Sequence, residues 1–175
     1  IVSIYPNSSL MDAAASAIAR FIDSRSHNLK YLGVTGLALI VESQPQYAAQ
    51  HQLAVMDCLE DPDETLQRKT LDLLYRMTNP VNVEFIVEKL VDFLSNTTDV
   101  FLKKLLTTRV CGVAERYAPN NAWYVRTITK LFEVSGDLVS QDVADNLMSL
   151  IAEGTGESEE NDMLLRQNAI EIYVI

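Results

Sequence analysis

Apolar residues recur along this chain every three or four positions, the spacing of one face of an α-helix. The clearest case is residues 61–78, DPDETLQRKTLDLLYRMT. One apolar stripe there consists of Leu66, Thr70, Leu73, Leu74 and Met77, and a second side adds Leu71 and Tyr75. A helix with one solvent-exposed face needs only one apolar stripe. A helix inside a stack of hairpins contacts two neighbours and needs apolar residues on both sides. The pattern therefore predicts a helix that is packed on two sides.

The start of this helix is predicted from residues that favour helix N-termini. Asp61 is the expected N-cap, Pro62 suits the first helical position, and Glu64 stands where a capping box places its acid. The group Asp61, Asp63 and Glu64 also has the composition of a catalytic carboxylate pair. Capping and the helix dipole explain the same adjacency without any chemistry, and we favour that interpretation.

Similar segments lie on both sides of residues 61–78, separated by polar caps and by helix breakers. Ile1–Tyr5, before Pro6, has the pattern of the last turn of a helix, and a kink is expected near His51. The other predicted helices cover about 10–23, 29–42, 45–60, 82–95, 98–117, 121–134, 140–152 and 162 onward. Their predicted N-caps include Ser9, Asn28, Thr98 and Ser140.

Four glycines carry conformational predictions. Gly33 and Gly36 lie inside a predicted helix, where glycine costs about 1 kcal/mol relative to alanine. The close approach of a neighbouring helix would compensate for that cost. Gly136 is predicted to supply a left-handed turn after the helix at 121–134, and Gly154 is predicted to close the helix at 140–152.

Helix breakers and caps recur at nearly constant intervals. Pro45, Pro80 and Pro119 precede the first helix of successive hairpins, at intervals of 35 and 39 residues. The predicted caps of the second helices, at 28, 61, 98 and 140, are 33, 37 and 42 residues apart. A two-helix period of about 33 to 47 residues is typical of HEAT and armadillo repeats. The predicted fold class is therefore all-α, a right-handed α-solenoid of HEAT/armadillo-like helical hairpins.

Residue matches between repeats support this period. Shifted by 37 positions, Leu29 coincides with Leu66, and Leu37 coincides with Leu74. Asp61 before a second helix and Arg68 within it resemble the acid and base that HEAT repeats carry there. A tetratricopeptide array has a stricter period of about 34 residues and a Trp-Leu-Gly-Tyr pattern that this chain lacks.

Composition limits the functional classes. The chain has 175 residues, of which 48% are hydrophobic, and a formal charge of −10. This balance favours a folded domain and argues against a dominant nucleic-acid surface, which needs clustered Lys and Arg. The longest apolar uncharged run, Tyr31–Val41, is too short to span a bilayer. Cys58 and Cys111 lie within apolar stripes and are predicted to be buried free thiols.

The sequence contains no predicted catalytic, cofactor-binding or metal-ligating residues. His27 and His51 are not arranged as an HExxH pair, and the spacing to the two cysteines does not support a zinc site. No GxSxG elbow and no phosphate-binding glycine loop are present. We therefore expect no enzyme activity and no cofactor.

Two surface features each have a functional and a structural interpretation, and a third has a structural one. Tyr117, Trp123 and Tyr124 flank Pro119 and form either a binding patch or local packing. The cations Arg68, Lys69, Arg76 and Lys30 form either a basic ridge or a solvated face with ion pairs. The acidic loop at 155–161 is interpreted as a solvated, mobile connection. In each case we favour the structural interpretation.

Four segments carry a family resemblance: HNLKYLG (27–33), HQLAVMDCLEDPDETLQRKTLDLLYRMTNPVNVEFIVEKL (51–90), AERYAPNNAWYVRTITKLF (114–132) and GDLVSQDVADNLMSLIAEG (136–154). Together they resemble the trunk of an adaptin, a large chain of the vesicle-coat adaptor complexes. SIYPN (3–7), the 51–90 block and LMSLIAEG are most similar to the epsilon class, from adaptor protein complex 4. The resemblance covers nearly the whole chain and is weakest at 155–162.

The resemblance implies a structural role in intracellular protein transport. Adaptin trunks assemble with a beta-type large chain, a medium chain and a small chain. The complex associates peripherally with the trans-Golgi network and coated vesicles, where it works with an Arf-family GTPase and captures cargo tails. It implies no nucleic-acid partner. The whole of residues 1–175 is expected to be a single segment of such an N-terminal trunk, cut from a longer chain.

Two other functional classes fit parts of the sequence. Another helical-repeat scaffold, such as a nuclear transport receptor or a phosphatase scaffold, would have the same periodicity but not the long matching segments. An enzyme with a hidden site would need a deep polar pocket with perturbed titratable groups.

Overall fold

The computed structural model describes residues 7–156 and 158–173, and this part of the chain contains nine α-helices and no strand. The helices are α1 (Ser8–Ile22), α2 (His27–Ser43), α3 (Gln46–Asp57), α4 (Glu64–Met77), α5 (Val83–Asn96), α6 (Val100–Tyr117), α7 (Asn121–Ser135), α8 (Gln141–Glu153) and α9 (Glu159–Tyr173). Short 3-10 turns follow α3 at Cys58–Glu60 and α7 at Gly136–Leu138. The all-α prediction is confirmed. The turn predicted at Ile1–Tyr5 and residue Glu157 of the acidic loop lie outside the described residues.

The helices form two compact units, one up to Thr78 and one from Asn79 onward. In the first unit, α1 pairs with α2 and α3 pairs with α4. In addition, α1 packs on α3 and α2 packs on α4, so consecutive hairpins stack in sequence order. In the second unit, α5 pairs with α6, and α7 contacts α5, α6 and α9. The prediction that the whole chain is one trunk segment stays a prediction.

The helix α4 is packed on two sides, as the sequence predicts. It contacts α3 of its own hairpin and α2 of the preceding one. Leu73 and Leu74 are fully buried, and Leu71 on the second side is buried as well. Tyr75 remains partly exposed. The apolar stripes of α4 therefore form the core between two hairpins.

The two glycines of α2 lie where α1 comes close. A Cβ on Gly33 would lie 2.7 Å from Cγ1 and 2.8 Å from the backbone nitrogen of Ile22, and a Cβ on Gly36 would lie 3.0 Å from Cδ1 of Ile18. Ile22 lies beside Gly33 and Ile18 lies beside Gly36, so the two helices are antiparallel. The predicted close approach is confirmed.

Several predicted helix caps are wrong by one or two residues. Asn7, not Ser9, caps α1 and accepts a hydrogen bond from the backbone nitrogen of Ser9 at 3.0 Å. Asp99, not Thr98, caps α6, and Ser26, not Asn28, precedes α2. Ser140 is at the predicted N-cap of α8 but its side chain makes no capping hydrogen bond.

The predicted cap of α4 is also wrong. This helix begins at Glu64, and its N-cap is Asp63, whose side chain accepts from the backbone nitrogen of Leu66 at 2.8 Å. Asp61 lies two residues earlier in extended backbone, and its carboxylate accepts from the amide of Asp63 at 3.2 Å. The N-caps before α2 and α4, at 26 and 63, are 37 residues apart, which confirms the register of the repeat.

Of the two glycine turns predicted in the later part of the chain, one is wrong and one is confirmed. Gly136 has a φ of −49° and starts a 3-10 turn, so the predicted left-handed turn there is wrong. Gly154 has a φ of +77° and ends α8 as predicted. The last helix begins at Glu159 rather than at Asp162. The helix α3 runs through His51 and changes to a 3-10 turn only at Cys58.

Replacing Leu73 or Leu74 by Ala tests the two-sided packing of α4. Each change removes a fully buried side chain, and we expect the free energy of unfolding to fall by about 2–5 kcal/mol. Urea unfolding of each variant, followed by circular dichroism, measures this loss. Unchanged unfolding midpoints in both variants would contradict the core position of the stripe.

Replacing Gly33 by Ala tests the contact between α1 and α2. The new methyl group would press on the backbone of Ile22, so we expect a loss of about 1–3 kcal/mol, as for other overpacked cores. Gly112→Ala is the matched control, because nothing lies within 4 Å of a Cβ at this helical position. That change should raise the stability of the chain by about 0.5–1 kcal/mol. The same sign for both variants would show that helix propensity, not close packing, sets the effect at Gly33.

Candidate functional site

The most strongly connected polar group in the first unit is the carboxylate of Asp61. It lies in the segment between the 3-10 turn after α3 and the start of α4, and the residue is 5% exposed. Lys30 of α2 donates from Nζ to Oδ2 at 2.9 Å, and Nδ1 of His27 lies 2.6 Å from Oδ1. The amide of Asp63 is the third contact. Asp61 therefore joins the start of α4 to the start of α2 in the preceding hairpin.

The charges of this cluster stabilise one another. Burial raises the pKa of Asp61, but the hydrogen bonds from Lys30, the Asp63 amide and His27 together outweigh it and lower the pKa below its ordinary value. The hydrogen bond between Lys30 and Asp61 also raises the pKa of Lys30, and burial opposes this effect more weakly. Both groups are therefore charged over the whole neutral range.

This arrangement is suited to holding helices together and not to catalysis. A general acid or base must reach a substrate, whereas both oxygens of Asp61 already contact groups of the protein. His27 is half exposed but its Nδ1 is directed at Asp61. The sequence predicted a cap at Asp61 and missed its role between hairpins. The sequence did contain a signal for this role: Lys30 lies at the start of α2, the second helix of one hairpin, and Asp61 precedes α4, the second helix of the next hairpin.

The two cysteines are confirmed as buried free thiols. Burial raises the pKa of Cys58 to about 11, and burial also raises the pKa of Cys111 to about 11. A thiol with such a pKa is protonated at neutral pH, and the thiolate is the nucleophilic form. Neither residue therefore has the properties of a reactive cysteine.

Three of the four cations of the suggested basic ridge have acidic partners: Lys30, Arg68 and Arg76. Arg76 lies 3.2 Å from Asp72 and 3.9 Å from Glu42, and Arg68 lies 3.9 Å from Glu64. Lys30 is bound to Asp61. The interpretation as a solvated face with ion pairs is confirmed for Arg68 and Arg76, whose exposed pairs contribute little to stability.

The three aromatic residues around Pro119 occupy different environments. Tyr124 is buried, and burial raises its pKa to about 12. The guanidinium of Arg116 lies 5.1 Å from the ring centre of Tyr117. Trp123 lines a groove between α5 and α7. Local packing thus accounts for Tyr124, while Trp123 belongs to a surface.

The groove beside Trp123 has walls of opposite charge. Glu84 and Glu88 line it from α5, and Arg126 and Lys130 line it from α7. Lys130 lies 3.7 Å from Asp92, and this ion pair links the two helices. The groove is open and shallow, so it is a surface feature and not an enclosed active site.

The loop after α8 is anchored by a second buried carboxylate. Asp162 accepts hydrogen bonds from the backbone nitrogen of Thr155 at 2.7 Å and from that of Gly156 at 3.2 Å. The hydrogen bond from the Thr155 amide has the largest effect on the pKa of Asp162. Together the hydrogen bonds lower this pKa, although burial alone would raise it. A Cβ on Gly154 would overlap the carboxylate of Asp162. The described part of this loop is therefore fixed to α9, contrary to the expectation of a mobile connection.

Within residues 7–156 and 158–173, no group of three or more His, Cys, Asp or Glu side chains could hold a metal ion. The helices of this same part of the chain are all too short or too polar to cross a membrane.

Comparison with known proteins gives consistent matches over the chain. The family described as "Adaptin N terminal region" matches residues 1–161. The AP-4 complex subunit epsilon of Arabidopsis thaliana is 49% identical over 99% of this chain, and the AP-4 complex subunit epsilon-1 of Homo sapiens is 38% identical over 99%. The AP-1 complex subunit gamma of Dictyostelium discoideum is 30% identical over 87%. The chain spans 19%, 15% and 17% of the length of these three proteins.

Replacing Asp61 by Asn tests the link between the hairpins. We expect the free energy of unfolding at pH 7 to fall by about 1–3 kcal/mol, less than for a fully buried ion pair because His27 and Lys30 are partly exposed. Because the pKa of Asp61 is lowered in the folded state, its contribution is present above the ordinary carboxyl pKa of about 3.9 and is lost as the pH falls through the folded value. The difference between wild type and variant should therefore shrink in acid.

The control for this experiment is Asp63→Ala, which removes only the cap of α4 and should cost about 1 kcal/mol. Urea unfolding of wild type and both variants between pH 7 and pH 2 provides the comparison. If Asp61→Asn costs no more than Asp63→Ala at pH 7, the carboxylate of Asp61 does not stabilise the contact between the two hairpins.

Proposed function

The chain belongs to the adaptin N-terminal region family, and we propose from this that it forms a segment of the trunk of a large subunit in a heterotetrameric vesicle-coat adaptor complex. In this proposal, residues 1–175 act as one continuous segment, and their role is structural and not enzymatic. The epsilon class of large subunit is the best candidate, because its members align with 99% of the chain.

The single observation that supports this function best is the continuous alignment with the plant epsilon subunit at 49% identity. The packing is consistent with a trunk. Stacked hairpins place the apolar stripes in the core, and the polar clusters at Asp61 and Asp162 are used to fix segments of the chain. What remains available for function is the outer surface of the helices, as in other helical-repeat scaffolds.

The partners in this proposal are the other adaptor subunits: a beta-type large chain, a medium chain and a small chain. The assembled complex would work with an Arf-family GTPase and with cargo tails, as a peripheral coat on the trans-Golgi network and its vesicles. The relatives at 49% and 38% identity are named as subunits of the AP-4 complex, which supports assembly with further subunits.

Affinity purification of the tagged full-length protein tests the assignment. We expect equal amounts of one beta-type large chain, one medium chain and one small chain, and overlap with a trans-Golgi marker in the microscope. The control is the full-length protein carrying Leu73→Ala and Leu74→Ala, which should recover these subunits less well because the trunk core is weakened. Recovery of transport cargo or phosphatase subunits in place of adaptor subunits would identify a different helical-repeat scaffold.

A further inference from the structure

Two large apolar side chains project into solvent at the start of α6. Val100 is 65% exposed and Phe101 is 83% exposed, and they are consecutive residues. Leu105, one turn further along the same face, is also exposed. Single exposed apolar residues are common on proteins, whereas three neighbouring ones at a helix end form a patch that favours contact with an apolar phase or partner.

The same helix turn carries positive charge. Lys103 and Lys104 follow Phe101 after the buried Leu102, and α6 holds four cationic residues against one acid, although the whole chain has a formal charge of −10. Lys104 lies three positions after Phe101 and therefore on its side of the helix. Among the described residues, neither lysine takes part in an ion pair. Their charge is available to a ligand.

The backbone amides at this helix end are already occupied. The side chain of Asp99 accepts from the amide of Phe101 at 2.9 Å and from that of Leu102 at 3.3 Å. An anion bound by the helix N-terminus is therefore not the explanation for the patch. Any recognition must come from the side chains themselves.

We propose that the α6 corner, defined as Val100, Phe101, Lys103, Lys104 and Leu105, contacts the surface of an anionic lipid bilayer. Exposed aromatic and aliphatic side chains beside lysines are the combination that binds the membrane interface, where apolar groups enter the acyl boundary and cations pair with headgroups. This inference rests on the proposed function, since a coat subunit works at a membrane.

A lipid surface fits the α6 corner better than a protein partner does. The apolar side chains project outward, which suits insertion into a soft interface. The lysines are mobile point charges, and they match a diffuse array of headgroups better than the fixed, directional acceptors of a protein. A protein partner would need a pocket for Phe101 with an acidic rim, and this is the alternative that the experiment separates.

Co-sedimentation with vesicles tests the proposal. The full-length protein, purified with its partner subunits, is mixed with vesicles of phosphatidylcholine alone or of phosphatidylcholine with phosphatidylserine. We expect binding only to the anionic vesicles, and weaker binding at higher salt. Lys103→Gln with Lys104→Gln should lower the binding constant by about fivefold for each lysine. Phe101→Ser should lower it several-fold at every salt concentration.

The matched control is Val81→Ser. Val81 is 95% exposed in the segment before α5 and has no Lys or Arg within four residues, so its loss should leave binding unchanged. Thermal melts of all variants should match the wild type, because Phe101, Lys104 and Val81 are exposed and Lys103 is only partly buried.

Three results would overturn the proposal. These are failure of the wild type to bind anionic vesicles, unchanged binding of the α6 variants, and an equal loss in Val81→Ser. If the α6 variants keep vesicle binding but lose a partner subunit, the α6 corner is a protein contact instead. If affinity purification recovers no adaptor subunit, the proposed function is contradicted. The vesicle assay is then run on the full-length protein by itself, and it still tests the membrane contact separately.

Discussion

The described structure depends on the burial of most helices against more than one neighbour. Several threonines occupy buried helix positions without loss of hydrogen bonds, because their hydroxyls donate to the carbonyl four residues earlier, whereas the buried hydroxyl of Thr35 has no such partner among the described residues. Thr70 bonds Leu66 at 2.8 Å and Thr129 bonds Val125 at 2.8 Å. An unsatisfied hydroxyl at such a place would cost about 1–3 kcal/mol. The stripes can therefore include polar residues and still pack closely.

Two buried carboxylates hold the connections between helices, and both do so with lowered pKa values. Asp61 is held by side chains of the previous hairpin, and Asp162 by backbone amides of the loop that precedes α9. The two carboxylates differ in the sequence separation of their partners. Asp61 bonds Lys30, 31 positions away, whereas Asp162 bonds Thr155, only seven positions away. Only the first links one repeat to the next, and this makes it a determinant of hairpin stacking.

The features predictable from sequence were those set by local periodicity and sterics. The spacing of helix breakers predicted the α3–α4 and α5–α6 hairpins, and the apolar stripe predicted the burial of Leu73 and Leu74. Glycine within a helix predicted the close approach at Gly33. The cap of α4 was not predictable, because Asp61 and Asp63 are both good caps and the choice depends on Lys30, a distant residue. Gly136 was mispredicted because a glycine after a helix permits a left-handed turn without requiring one.

The candidate site was less predictable than the fold, and the reason is physical. A catalytic site concentrates unusual residues at fixed spacing, whereas a binding surface is made of ordinary residues whose exposure depends on tertiary packing. Phe101 and Leu102 are adjacent apolar residues in the sequence, yet one is 83% exposed and the other is buried. Only the packing of α6 against its neighbours distinguishes them. For a protein built from stacked hairpins, function is therefore inferred from the surface that the packing leaves exposed, and among the described residues the α6 corner is one surface that combines apolar side chains with positive charge.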